Sequence, residues 1–288
     1  MLATLLLTLI LSAPLHAFNP TPQTILHQGV TRTYYTVLPG DFDPGATYWP
    51  LVVVHGGGGK ADANKQAIAL RRLADESALP AILILPEFIT KDKQVSRFPA
   101  LGEDAFLKAV LADLRTQFKL RVRILLTGYS MGGQFTHRFA LANPELVQAC
   151  ATFAAGTWTT PDGKLLIEEF GEVVQPREFL LNKENARLVP ERLHDLFNAR
   201  TAAVAGLPAA KGAEKIPFLV MCGTLDPRHG ISVQFFESLL AAGYTAEAAW
   251  PATPHSSDDE RLATEFAKYP ETAISFFLKH ANHPVPGN

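Results

Sequence analysis

Short apolar runs recur along the chain, separated by segments rich in glycine, proline or polar residues. Most of the runs show no alternation of apolar and polar positions, which is typical of strands buried on both faces of a sheet. Residues 31–38 alternate and are rich in threonine and tyrosine, which indicates an edge strand. The predicted strands are residues 31–38, 51–54, 81–85, 123–127, 148–155, 216–222 and 245–250.

Between these strands, apolar positions recur at the spacing of an amphipathic helix. The alternation of strands and helices predicts an α/β domain with a mostly parallel sheet covered by helices on both faces. Residues 19–28 are predicted to be an extended lead-in, and residues 257–260 have the pattern of a helix capping box. The predicted helices are residues 62–77, 106–118, 134–141, 191–202, 232–242, 258–268 and 271–281.

The segment from about 156 to 215 departs from this alternation, because no buried strand is recognised in it. It contains Trp158 and a Pro-Asp-Gly turn at 161–163. We interpret the segment as a lid-like insertion over the carboxyl edge of the sheet, since long excursions of this kind often bind ligands. A surface decoration without substrate contact is the alternative. Core packing is the interpretation for the aromatic residues Trp49, Phe98, Trp158 and Trp250.

The sequence GYSMG at 128–132 stands between the strand 123–127 and the helix 134–141. A strand, a tight turn with serine at its apex and a helix together form a nucleophile elbow. Small residues two before and two after the serine let the strand and the helix approach each other. Ser130 is therefore the candidate nucleophile.

A serine nucleophile needs a histidine base, and the histidine needs a carboxylate that fixes its tautomer. Asp226 follows the strand 216–222, at the edge of the sheet where ligand groups gather, and is the candidate acid. His255 follows the strand 245–250 and is the candidate base. A turn residue before proline is the alternative for Asp226, and a solvated loop position is the alternative for His255. Rival acids are Asp195 and Asp258, the rival base is His229, and packing or surface roles are expected for His137, His194 and His280.

Backbone N–H groups that stabilise an oxyanion are predicted at two places. One is Met131, directly after the nucleophile. The other is the glycine run HGGGG at 55–59, where Gly57 and Gly58 are the better candidates. A phosphate-binding loop is the alternative for the glycine run, but the Lys-Ser/Thr ending of a P-loop is missing at the required spacing.

Four motifs in this order resemble the α/β-hydrolase superfamily: HGGGG at 55–59, GYSMGG at 128–133, GTLDP at 223–227 and PH at 254–255. Within it the chain is most similar to secreted esterases related to polyhydroxybutyrate depolymerases and feruloyl esterases, and to the dienelactone-hydrolase-like group. Serine replaces the cysteine of dienelactone hydrolases proper, which argues against that activity. The resemblance implies the α/β-hydrolase fold, with Ser130 as nucleophile, Asp226 as acid and His255 as base.

The residues and the resemblance together predict a hydrolase of carboxylic esters that works through an acyl-enzyme, on a small-molecule or polymer ester. No metal and no organic cofactor is implied. Two alternatives stay open. One is a peptidase or thioesterase on the same triad, and the other is a binding protein of the same fold without catalysis.

The first residues are typical of a signal peptide, because an apolar run at 2–11 precedes small and polar residues up to Ala17. Cleavage there leaves a domain of residues 18–288 in the secreted or periplasmic space. A buried amino-terminal helix is the alternative. The run is shorter than the roughly 20 residues of a membrane-spanning helix, so no stable membrane insertion is expected after cleavage.

Composition narrows the functional class further. The chain has 288 residues, of which 47% are hydrophobic, and this fits one large α/β domain. Its net charge of -2, without dense basic stretches, argues against nucleic acid as a partner. Cys150 and Cys222 are predicted to be buried free thiols, with a disulfide as the alternative if their strands are neighbours. No cluster of His and Cys has the spacing of metal ligands.

Overall fold

The computed structural model describes residues 20–57, 59–89, 97–168, 171–173, 176–182, 184, 199–255 and 263–281. The predicted signal peptide at 1–17 and the capping box at 257–260 lie outside the described residues, as does Gly58. The boundary of the mature domain at residue 18 therefore stays a prediction.

The described part of the chain begins with two strands and then mostly alternates strands with helices. The first half contains β1 (Thr21–His27), β2 (Val30–Val37), β3 (Trp49–Val54), α1 (Lys60–Glu76), β4 (Ala81–Pro86), α2 (Glu103–Gln117), β5 (Ile124–Tyr129) and α3 (Met131–Ala142). The second half contains β6 (Val147–Phe153), β7 (Thr157–Thr159), β8 (Leu165–Ile167), β9 (Gly171–Val173), α4 (Pro176–Leu181), α5 (Ala199–Ala202), β10 (Phe218–Met221), α6 (His229–Ala241), β11 (Ala246–Ala249) and α7 (Ala263–Ala281).

Eight strands form the main sheet in the order β1-β2-β4-β3-β5-β6-β10-β11. From β4 to β11 every neighbouring pair is parallel, which confirms the mostly parallel sheet. β1 and β2 are antiparallel to their neighbours. The prediction that the strand at 31–38 is an edge strand is wrong, because β2 pairs with β1 on one side and β4 on the other. The edge strand is β1, within the predicted lead-in at 19–28, and it forms a hairpin with β2 through Gln28 and Gly29, both with positive φ.

Helices cover both faces of the sheet, as the strand pattern predicted. Leu51 and Val53 of β3 point into the core formed with α1 and α7. Val52 and Val54 point into the opposite core, formed with α2, α3 and α6. All six residues of β3 are buried, which explains why its sequence is apolar without alternation.

A second sheet, of the three short strands β7, β8 and β9, lies within the segment 156–215. The prediction that this segment has no buried strand is wrong, because every residue of β7 and β8 is buried. Trp158 of β7 stacks on Phe235 of α6, with ring centroids 4.4 Å apart. Arg138 of α3 donates hydrogen bonds to the hydroxyls of Thr157 and Thr159. β7 therefore packs on α3 and α6.

The carboxyl-terminal helix is longer than predicted. The separate helices expected at 258–268 and 271–281 are one helix over the described residues 263–281, with Pro270 inside it. A proline removes one backbone donor and strains the preceding turn. Tyr269, Ala273 and Phe277 are buried on the sheet, so packing of this face stabilises the helix across the proline.

Both cysteines are buried free thiols, as predicted. Cys150 of β6 pairs in register with Phe218 of β10, whereas Cys222 lies four residues further along the chain from Phe218. At about 3.3 Å per strand residue this offset is far beyond the reach of a disulfide. None of the helices in the described part of the chain has both the length and the apolar character of a membrane span.

Candidate active site

Ser130 stands in a strained turn between β5 and α3. Its backbone has φ 55° and ψ -112°, a conformation that costs energy for any residue with a side chain. The N–H of Ser130 donates to the carbonyl of Phe153 over 2.9 Å, which ties the turn to the end of β6. The side chain therefore stands at the carboxyl edge of the sheet.

Two glycines allow this turn to be tight. A Cβ on Gly128 would lie 2.6 Å from the carbonyl oxygen of Gly132. A Cβ on Gly132 would overlap the carbonyl oxygen of Val54 at the end of β3. The small residues two before and two after the serine are therefore needed because backbone groups approach there, as the elbow motif predicts.

The loops after β10 and β11 are joined to each other by backbone hydrogen bonds. The N–H of Thr224 donates to the carbonyl of Pro251 over 2.9 Å, and the N–H of Leu225 donates to the carbonyl of Thr253 over 3.1 Å. Gly223 lies so close to Thr253 that a side chain would overlap its backbone. These contacts set the distance between the loop that carries Asp226 and the loop that carries His255.

The structure brings the three predicted residues into one hydrogen-bonded row. Nε2 of His255 lies 3.1 Å from Oγ of Ser130, and Nδ1 of His255 lies 2.8 Å from Oδ2 of Asp226. The Asp226 side chain is 1% exposed and that of His255 is 25% exposed. The row thus runs from a buried carboxylate towards the solvent-facing edge of the sheet.

The protonation pattern of the row follows from the environment of Asp226. Burial acts to raise the pKa of this carboxyl, but the hydrogen bond from His255, the backbone N–H of Arg228 and the positive charge of Arg228 together lower it. An ionised carboxylate only accepts hydrogen bonds, so Nδ1 of His255 carries the proton. Nε2 then presents its lone pair to the hydroxyl of Ser130.

Arg228 is a neighbour of the row that the sequence analysis missed. Its Nη1 lies 4.0 Å from Oδ1 of Asp226, and its Nε lies 4.0 Å from a carboxylate oxygen of Glu168. Arg228 thus stands between the row and the segment 156–215. The available signal was an arginine two residues after the acid, in the same loop.

The glycine run after β3 lies beside the elbow. The close approach of Gly132 to the backbone of Val54 and His55 brings the start of α3 against this loop. His55 is buried, and its Nε2 accepts the N–H of Phe88 over 3.1 Å, so Nδ1 donates to the carbonyl of Gly56 over 2.8 Å. Gly57 is an exposed turn residue, and Met131, as the first residue of α3, has an N–H without an acceptor inside the helix.

Comparisons by sequence find no relative: no family model matches the chain, and no curated protein matches it. Solved structures do match. A ferulic acid esterase superposes with a TM-score of 0.64 at 13% identity, over 91% of this chain and 98% of its own. Acylaminoacyl peptidase of Pyrococcus horikoshii gives 0.64 at 15% identity, over 95% of this chain and 43% of its own. A thermostable esterase gives 0.59 at 15% identity, over 90% of this chain and 62% of its own.

The chain has the α/β-hydrolase fold. Its sheet order, its parallel core and the likeness to these structures together establish this. The chain spans less than two thirds of the thermostable esterase and less than half of the peptidase.

The other histidines of this α/β-hydrolase fold have different surroundings. His137 is fully buried between Trp158 and Phe235, and burial holds its pKa well below the ordinary value, so it packs as expected. His229 begins α6 and meets the ring of Trp250 edge-on. His280 contacts Glu247 at the far end of α7. His194, Asp195 and Asp258 lie outside the described residues.

Core packing is confirmed for three of the four aromatic residues. Trp49, Phe98 and Trp158 are buried, and Trp250 is half-buried against α6. Among the residues that the structure describes, no group of three His, Cys, Asp or Glu side chains is arranged to hold a metal ion.

Proposed function

We propose that this protein is a serine hydrolase that cleaves carboxylic esters through a covalent acyl-enzyme. The observation that carries the proposal is the row from Ser130 through His255 to Asp226, with contacts of 3.1 and 2.8 Å. A ring nitrogen that accepts from a serine hydroxyl is what general-base activation requires. The strained elbow holds that hydroxyl in place before substrate binds.

In the first step, Oγ of Ser130 forms a bond to the ester carbonyl carbon while its proton moves to Nε2 of His255. The carbonyl π electrons move to oxygen, which becomes the oxyanion. Asp226 stays ionised and stabilises the imidazolium through the Nδ1–H bond. His255 then protonates the leaving alcohol oxygen as its bond to carbon breaks. A water molecule releases the acyl group by the same sequence, with His255 again as the base.

The proposed donors to the oxyanion are the N–H groups of Met131 and of the glycine run, Gly57 and Gly58. The described contact between Gly132 and the backbone of Val54 and His55 supports this pairing, because it brings the end of β3 against the start of α3. In other serine hydrolases, removal of one such donor lowers kcat by roughly 10²–10³-fold.

Ester substrates are supported by the similarity in fold to a thermostable esterase and a ferulic acid esterase. The substrate we propose is a small-molecule or polymer ester, in agreement with the motifs. The mechanism uses only side chains and backbone of this chain, so activity is expected to survive dialysis against a metal chelator.

The test is a comparison of Ser130→Ala with Ser238→Ala. Ser238 lies in α6 and donates only a local hydrogen bond to the carbonyl of Phe235, so it is a matched control. Wild type and Ser238→Ala are expected to hydrolyse 4-nitrophenyl esters and to react with a fluorophosphonate probe. Ser130→Ala is expected to do neither while its circular dichroism spectrum is unchanged. Near-normal turnover by Ser130→Ala would rule out the mechanism.

A substrate panel separates the alternatives. Matched acyl esters, thioesters and peptide amides with the same acyl group share the tetrahedral intermediate, so their kcat/KM values are to be compared on one preparation. Preference for the esters supports the proposal, whereas preference for thioesters or amides identifies a thioesterase or peptidase. A folded wild type that neither hydrolyses nor labels is a binding protein.

We also propose that the protein is exported to the secreted or periplasmic space. The apolar run at 2–11 and the small residues up to Ala17 support this. When the full chain is expressed in a bacterial host, the protein recovered outside the cytoplasm is expected to begin at Phe18. Recovery of the intact chain from the cytoplasm alone would contradict export.

A further inference from the structure

One face of the His255 ring is covered by the residue that precedes the serine. The rings of Tyr129 and His255 have centroids 5.1 Å apart and planes only 18° apart, so they are stacked. Tyr129 is the last residue of β5, the central strand that feeds the elbow. The stack therefore connects the candidate base directly to the strand that holds the candidate nucleophile.

Tyr129 packs against an aromatic row formed by Tyr269 and Phe153. The ring of Tyr269 in α7 meets Tyr129 at an angle of 63°, and Phe153 of β6 meets Tyr269 at 75°. The hydroxyls of Tyr269 and Thr253 share a hydrogen bond of 2.9 Å. The same row thus supports both Tyr129 and the loop that leads to His255.

We propose that Tyr129 is a positioning residue for His255, whose ring fixes the plane of the imidazole and stabilises the imidazolium. This inference rests on the proposed function, since it needs His255 to act as the base. In this arrangement Asp226 sets the direction of Nδ1, and the stack sets the tilt of the ring. The elbow tyrosine then has a role in the same reaction step as Ser130.

The stack with Tyr129 stabilises the transition state more than the resting site. In the resting site the imidazole is neutral, and it gains a positive charge only as it takes the proton of Ser130. A cation over the face of an aromatic ring is attracted by the ring's π electrons. Burial raises the pKa of the Tyr129 phenol above its ordinary value, so the side chain stays uncharged over the pH range of the activity assays. Loss of the ring should therefore lower kcat with little change in KM.

The experiment compares Tyr129→Leu and Tyr129→Met with Tyr129→Phe. The control is Tyr244→Leu, because Tyr244 is a buried tyrosine that packs edge-on against Phe218, outside the site. Steady-state rates with 4-nitrophenyl acetate and the rate constant of fluorophosphonate labelling are measured for each, with Tm as the check on folding. The leucine and methionine variants are expected to lose about 5- to 30-fold in kcat and in labelling rate, with KM within about twofold.

Tyr129→Phe is expected to stay within about twofold of wild type, since phenylalanine keeps the ring face. Tyr244→Leu should lower Tm while the kcat of the folded protein is retained. A wild-type kcat in both Tyr129→Leu and Tyr129→Met would overturn the inference. So would an equal loss in Tyr129→Phe, because the hydroxyl would then matter and the ring would not.

The proton resonances of His255 test the stack even if the leucine and methionine variants fold poorly. In wild type the stacked ring should shift the Cε1 and Cδ2 proton resonances of His255 upfield, and Tyr129→Phe should keep that shift. Absence of the shift in wild type shows that the stack does not form in solution. A wild type that neither hydrolyses nor labels refutes the proposed function and this inference together. An active wild type with normal rates in both Tyr129→Leu and Tyr129→Met refutes this inference alone.

Discussion

The carboxyl edge of the main sheet and the segment 156–215 follow different rules. At the edge, each candidate catalytic residue lies in the turn or loop that follows a strand, and the parallel strands end at the same edge, so residues distant in sequence meet. In the segment, the three-residue strands β7 and β8 are buried, and Trp158 of β7 stacks on a helix from another part of the chain. The elements of the first region can be predicted from the local sequence, and the parallel order of the strands brings their ends together. The structure of the second region depends on contacts with residues far away along the chain.

The largest expected effect concerns the edge. Asp226→Asn keeps the shape of the side chain but removes the charge that fixes the His255 tautomer, so kcat should fall by roughly 10⁴-fold. Asp43→Asn is the control, because Asp43 lies in an exposed turn where its Oδ1 accepts the N–H of Gly45, a bond that asparagine also makes. Both variants are assayed with 4-nitrophenyl acetate. A loss below tenfold in Asp226→Asn would show that Asp226 is not the partner of His255 in catalysis.

The second effect concerns the segment. Trp158 is fully buried against α3 and α6, so Trp158→Ala should lower the free energy of unfolding of the domain by about 3–5 kcal/mol. Leu207, in the same segment, is 52% exposed, and Leu207→Ala should stay within about 0.5 kcal/mol of wild type. Urea unfolding followed by circular dichroism measures both. Equal stabilities would mean that the segment contributes nothing to the stability of the main core.

The carboxyl edge of the main sheet could be predicted from the sequence because its signals are local. Val52 and Val53 face opposite cores, so the strand is apolar at every position, and its burial can be predicted without knowing what covers it. The elbow has a backbone requirement that shows in the sequence as Gly128 and Gly132. Parallel order then brings the ends of β5, β10 and β11 to one edge.

The sequence does not predict the structure where the packing partners of a residue lie far away along the chain. β7 contains one tryptophan between two threonines, and nothing in those residues shows that Phe235 will cover the ring. The stack of Tyr129 on His255 and the contact of Arg228 with Glu168 could not be predicted for the same reason, since each partner lies far away along the chain. The bounds of α7 were wrong because Pro270 is a local signal that packing on the sheet overrides.

The smallest expected effect tests the electrostatic contact at the border between the two regions. Arg228 is one of the groups that lower the pKa of Asp226, so Arg228→Gln should raise that pKa towards its unfolded value of about 3.9. A depressed carboxyl pKa stabilises the fold above the unfolded pKa and loses this contribution as the pH falls through the folded pKa. Arg228→Gln should therefore be less stable than wild type at pH 7.

This gap, the difference in the free energy of unfolding between wild type and Arg228→Gln, should be at most about 1 kcal/mol, because the charges are 4.0 Å apart and Arg228 is partly solvated. It should narrow below pH 4, as Asp226 becomes protonated in both proteins. In an Asp226→Asn background the pH-dependent part of the gap should vanish, because no carboxylate is left to titrate. If the gap keeps its pH dependence there, Arg228 acts on another carboxylate, and Glu168, also 4.0 Å away, becomes the residue to substitute next. The segment 156–215 would then be the main electrostatic partner of Arg228.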